Sequence, residues 1–198
     1  MKKQIVLALT FLALIPSFLK AQEYVSTEPQ NRNVLIEEFT GRNCGYCPDG
    51  HRIANEIMAN NPGRVWAVNI HAGSFSPISY PNMNTTDGTT ITNGFNISGF
   101  PAGHVNRSTT VDIPRNQWNQ YTNTQLSQSA EVNVAGFVTL DYATRTAEIT
   151  VEVYYTANSA QSTNYLTVMM LQDSILGSQS GSPYNPSQMM NGQYVHQH

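Results

Sequence analysis

The stretch Val34-Leu-Ile-Glu-Glu-Phe-Thr-Gly-Arg-Asn-Cys-Gly-Tyr-Cys-Pro48 decides the fold. Val34 to Phe39 is a short apolar run broken by Glu37 and Glu38. A strand buried on both faces gives such a run, as in parallel sheets. Thr40 to Asn43 reads as a loop, and helical character starts near Cys44. Ile53, Ala54, Ile57 and Met58 recur at helical spacing until Asn60-Asn-Pro-Gly63 stops the helix. Val65 to Ile70 reads as a second buried strand, so the first half is a βαβ unit. Cys44 and Cys47, three apart beside a strand–helix pattern, form a redox motif.

The N-terminus sets the compartment. Met1-Lys-Lys is a short basic start, Ile5 to Leu19 is apolar apart from Thr10, Pro16 and Ser17, and Ala21 offers a small residue for cleavage. Residues 1–21 therefore read as a secretory signal peptide, the apolar run being short for a membrane span. All three lysines lie in it. The remainder carries seven arginines against thirteen acids, a net charge of 7 − 13 = −6 with histidines neutral. With no basic run, nucleic acid and anionic membrane surfaces are not expected partners. Export also exposes thiols to oxidants, so the two cysteines are expected to pair. A bridge closing so small a loop constrains the unfolded chain little, which favours reactivity over stability as its purpose.

Residues 22–30 form a polar lead-in. After the second strand, Ala72 to Gly99 is a long connection rich in Asn and Thr, with a short helix expected over Thr90 to Phe95. Gly99-Phe100-Pro101 leads into an expected strand over Ala102 to Arg107. Thr109 to Ile113 reads as a further strand, and Pro114 opens a helix to about Ser127. Trp66 and Trp118 are expected in the core. From Ala130 the pattern changes to alternation. Glu131 to Leu140, Ala147 to Tyr155 and Tyr165 to Gln172 read as strands, the second half-buried, and Asp141 to Arg145 connects the first two. The segment from Ser174 is polar and Gly-Ser-rich, with no closing strand expected.

The residue types define the chemistry. Cys44 is expected at a helix N-terminus, where unpaired N–H groups and the dipole favour a thiolate. Cys47, one turn in, would displace the substrate from a mixed disulfide. Gly45 and Tyr46 would tune the thiolate and adjoin the substrate, and Arg42 is a further candidate stabiliser. Glu37 and Glu38 are adjacent on a strand and point to opposite faces, so they are not a carboxylate pair. His51 makes a Cys-Cys-His metal half-site conceivable. Pro48 directly after Cys47 excludes c-type haem attachment. His71 and His104 read as structural histidines. No metal and no dissociable cofactor is expected.

Val34 to Phe39 followed by Cys44-Gly-Tyr-Cys47 resembles the thioredoxin superfamily. That resemblance implies that Glu38 shuttles a proton for Cys47. It also implies that Phe100-Pro101 supplies a cis-proline that faces the disulfide and helps bind substrate backbone. Leu35-Ile-Glu-Glu-Phe-Thr-Gly41, Cys44-Gly-Tyr-Cys-Pro48, Gly99-Phe-Pro-Ala-Gly-His-Val-Asn-Arg107 and Tyr194-Val-His196 look like the 28-kilodalton outer-membrane-protein family of Gram-negative envelopes. The resemblance implies an α/β thioredoxin-like domain (β-α-β-α-β-β-α) over residues 31–129 and an incomplete all-β immunoglobulin-like sandwich over residues 130–198. The expected function is thiol–disulfide exchange on envelope proteins, with a redox partner protein, in the periplasm or in association with the outer membrane. The alternative is a non-catalytic envelope binding or assembly protein that keeps the fold.

Overall fold

The computed structural model describes residues 24–197. The expected signal peptide, residues 1–21, lies outside the described residues. Among those described, no helix is long and apolar enough to cross a membrane.

Strand β1 (Val34–Thr40) is followed by helix α1 (Cys47–Asn60) and strand β2 (Val65–His71), which pairs with β1 in parallel. Helix α2 (Thr86–Gly94), strand β3 (Ala102–Val105), strand β4 (Ile113–Pro114) and helix α3 (Trp118–Leu126) complete the first unit. Its sheet has the order β2-β1-β3-β4, with β3 antiparallel to β1 and β4 antiparallel to β3. β1 is central, which is why its apolar run is continuous: Ile36 and Phe39 are fully buried on opposite faces. Ile36 joins Val34, Ala54, Ile57, Val105 and Trp118 under α1 and α3. Phe39 joins Val68 and Ile70, against which Ile91, Phe95 and Phe100 pack.

Several boundaries differ from the sequence reading for local reasons. α1 begins at Cys47, with Pro48 in its first turn, so Cys44 lies in the turn before the helix rather than on it. α2 starts four residues earlier than expected because the Thr85 hydroxyl accepts the Gly88 amide as a side-chain cap. β3 stops at Val105, where Asn106 and Arg107 turn with φ of 50° and 47°. The strand expected from Thr109 shortens to Ile113–Pro114. Pro114 precedes a 3₁₀ turn (Arg115–Gln117) that leads into α3. Trp66 is half exposed, pointing away from the layer that buries Val65 and Ala67.

Strands β5 (Val132–Asp141) and β6 (Thr146–Tyr155) form an antiparallel hairpin. Its turn is held by Asp141, whose Oδ1 accepts the Ala143 and Thr144 amides. One face carries Val134, Val138, Leu140, Ile149 and Val153, all exposed, so the expected half-burial of β6 is not found among the described residues. The other face is crossed by the lead-in. Tyr24 stacks on Phe137 at 5.2 Å, and Asn133 donates to the Ser26 and Glu28 carbonyls. Tyr165 to Gln172 forms no strand, although Met169 packs beside Phe39 and Ile70.

The segment from Ser174 corrects the sequence reading. It folds into β7 (Ile175–Gly177), β8 (Met189–Met190) and β9 (Gln193–His196), a three-stranded sheet in the order β7-β9-β8. This small sheet and its 3₁₀ turns pack against the first unit at the start of α1. Asn69 donates to the Gln197 carbonyl at 2.6 Å, and the His71 and His196 rings meet at 5.4 Å.

Candidate functional site

Cys44 and Cys47 are joined by a disulfide with Cα atoms 5.4 Å apart. Both are buried, at 2% and 0% exposure. What covers Cys44 comes from the C-terminal segment. Gln179 Nε2 donates to the Cys44 carbonyl at 3.0 Å and to the Gly41 carbonyl at 3.2 Å. The Ser180 amide donates to the Arg42 carbonyl at 2.8 Å. Gly181, with φ of 71°, lies so close to the Gly45 backbone that a β-carbon there would collide with it. Tyr184 stacks beside Tyr46 at 5.6 Å. Gly45 and Tyr46 are exposed residues at the rim, and the Arg115 guanidinium lies 5.3 Å over the Tyr46 ring.

On β1, Glu38 is fully buried, and among the described residues neither carboxyl oxygen has a hydrogen-bond partner. Burial raises its pKa well above the ordinary carboxylate range, opposed by the Arg115 charge. It faces α1 one turn beyond Cys47. A β-carbon on Gly50 would run into Glu38 Oε1, and His51 Nε2 lies 3.6 Å from the same oxygen. Pro101 is buried against Gly50, and the Phe100–Pro101 peptide is cis. Phe100 turns the other way, packing on Phe75 at 5.7 Å and against Gly73. Glu37 points to the opposite face, where Arg107 grips it with two hydrogen bonds.

Other candidates take different roles. Arg42 is buried, and its guanidinium donates to the Ser79 carbonyl and to the Ser79 and Ser178 hydroxyls, not to sulfur. His51 is no metal half-site: its ring nitrogens meet Thr40 Oγ1 at 2.9 Å and Tyr194 Oη at 2.8 Å. His104 is buried with neither ring nitrogen hydrogen-bonded among the described residues, its ring 4.4 Å from Phe95. Burial lowers its pKa, opposed by Glu37 and Asp112. Sequence reasoning missed Gln179, Gln188 and Tyr194, because nothing in a polar segment marks which loop it will return to. A cavity of about 680 Å³ lies at the end of β2, lined by Ile70, His71, Ile91, Met169 and His196. It does not include the disulfide.

Fold and site define the class: a mixed α/β protein carrying a Cys-x-x-Cys disulfide at a strand–helix junction. The chain belongs to the Omp28 family, described as outer membrane protein Omp28, whose pattern matches residues 89–198. Membership makes it an exported, envelope-associated protein. No curated protein matches the sequence. Among solved structures, HBP35 of Porphyromonas gingivalis is similar at 22% identity and a TM-score of 0.44, over 56% of this chain and 38% of that one. The chain thus spans under two fifths of that structure's length.

Proposed function

We propose that this protein is an exported thiol–disulfide oxidoreductase of reductase or isomerase type, acting on protein disulfides in the cell envelope. Its first unit is read as thioredoxin-like, and residues from 130 as part of an immunoglobulin-like module. The observation that carries the reading is the disulfide at the mouth of α1 with the buried Glu38 carboxyl facing the same helix at Gly50. In the reduced protein, Cys44 attacks a substrate disulfide and forms the mixed disulfide. Cys47 then attacks Cys44 Sγ and releases the substrate thiol. Glu38, whose burial favours the neutral acid, exchanges a proton with Cys47 as that thiol ionises. Gly45 and Tyr46 form the rim on which an extended substrate segment is held, with the cis Pro101 buried against Gly50 behind it. Envelope proteins with disulfides or thiols are the substrates, a second redox protein resets the pair, and the site lies in the periplasm or at the outer membrane. The chemistry needs no dissociable cofactor.

The burial of Cys44 favours a second reading, a non-catalytic binding or assembly protein whose disulfide staples the C-terminal segment in place. Reduction of an insulin-like disulfide by the wild type and by Cys44→Ser separates the two. The oxidoreductase reading expects turnover that the variant loses. Equal background rates support the second reading.

A further inference from the structure

The hydrogen bonds around His51 determine where its proton sits. Gln188 Nε2 donates to the Val195 carbonyl at 3.2 Å, which fixes the amide with its oxygen toward Tyr194. Tyr194 Oη donates its single hydrogen to that Gln188 Oε1 at 2.6 Å, and Asn185 Nδ2 donates to both oxygens. Toward His51, then, the phenol can only accept. His51 Nδ1 must carry the hydrogen across the 2.8 Å contact, so Nε2 holds the lone pair. That lone pair faces the Thr40 hydroxyl at 2.9 Å and Glu38 Oε1 at 3.6 Å. His51, Tyr194 and Glu38 are all buried, at 2%, 1% and 0% exposure, and His51 Nε2 is the titratable neighbour that Glu38 Oε1 faces.

Building on the oxidoreductase reading, we propose that His51 Nε2 takes the Glu38 proton so that the carboxylate can accept that of Cys47, and that Tyr194 prepares His51 for this by holding the Nδ1–H tautomer. In the mixed disulfide, the neutral Glu38 carboxyl first passes its proton to His51 Nε2, 3.6 Å away, and the carboxylate so formed takes the proton of the Cys47 thiol. The Cys47 thiolate attacks Cys44 Sγ, a Cys44–Cys47 bond forms, and the bond from Cys44 to the substrate sulfur breaks. The electron pair leaves on the substrate sulfur, which takes a proton from water. The Thr40 hydroxyl turns to accept a hydrogen bond from the new Nε2–H, and His51 returns the proton through Glu38 to Cys47 when the disulfide is next reduced. Both pairs of electrons are accounted for: the enzyme dithiol is oxidised and the substrate disulfide reduced. His51 and Tyr194 are positioning residues that act through Glu38. They tie the exchange step to a segment more than 140 residues away in the chain.

The test is rapid-mixing kinetics of the reduced full chain with a disulfide-bonded peptide from pH 5 to 9, beside ¹⁵N spectra of the imidazoles. The relay expects Nδ1–H at His51 in the wild type and loss of that single tautomer in Tyr194→Phe. It expects Tyr194→Phe and His51→Gln to slow the resolving step about tenfold and to shift its pH profile, with the first attack by Cys44, read in a Cys47→Ser background, unchanged. An Nε2–H tautomer in the wild type, or a resolving step with the wild-type profile in both variants, overturns the relay alone. A wild type that never forms the mixed disulfide overturns the oxidoreductase reading and the relay with it.

Discussion

Glu38 is the residue on which the proposed chemistry turns, and its burial has a thermodynamic signature. Its folded pKa is raised, so the folded state holds the proton more tightly than the unfolded chain. The stabilisation this brings is complete below the unfolded value near the ordinary Glu range and is lost as pH rises through the folded value. Glu38→Gln, which stays neutral, should therefore stabilise the protein relative to the wild type where the wild-type carboxyl ionises at high pH, and change little at pH 4. Denaturant melts at pH 4 and at high pH check this; a variant destabilised at high pH would contradict it. Gly50 is the companion residue. Gly50→Ala places a methyl against Glu38 Oε1 and Pro101, and chemical denaturation should show a loss of about 1–3 kcal/mol. The pairing of Cys44 with Cys47 was legible because two cysteines three apart in an exported chain have each other as partners, whereas Glu38 entered only through the resemblance. The link from His51 to Tyr194 was not, since a tyrosine 143 residues away carries no local mark of it.

At the scale of elements, the segment from Gln179 to Tyr184 is the feature that the sequence hid. Its Gly, Ser and Gln content reads as a solvated tail, yet those small and amide-bearing residues are what let backbone lie on backbone over Cys44. Gln179→Ala removes both donations to the Gly41 and Cys44 carbonyls. The disulfide should then be reduced by dithiothreitol several-fold faster, with far-ultraviolet circular dichroism unchanged; an unaltered rate would mean that the segment does not control access. Elements with long-range order behaved differently. β1, α1 and β2 follow from apolar periodicity and the Asn-Pro-Gly stop, because in a central βαβ unit local pattern and tertiary burial agree. Tyr165 to Gln172 has the apolar content of a strand but lies beside no strand that pairs with it, and β-propensity depends on such neighbours.

For the whole molecule, His71 on β2 and His196 on β9 lie on the seam between the first unit and the C-terminal sheet. Burial lowers their pKa values to about 3 and about 4, with a further push from the Arg42 charge. A depressed histidine stabilises fully above its unfolded value of about 6.5, and that contribution is lost as pH falls through the folded value. The seam should therefore weaken as pH falls from about 6.5 toward 4. Hydrogen exchange of β7 and β9 amides should speed up over that range, ahead of β1 and β2. His71→Asn with His196→Asn should flatten the dependence; β1 and β9 loosening together would contradict a separable seam. Opening there would also uncover Cys44, which joins global stability to access at the site.

The most direct measurement is mass spectrometry of the Cys47→Ser protein, reduced, folded and incubated with a disulfide-bonded peptide at pH 7. A mixed disulfide on Cys44, formed at a rate well above that of an unfolded control peptide carrying one cysteine, is the predicted result. An unmodified Cys44 in protein shown to be folded would contradict the account.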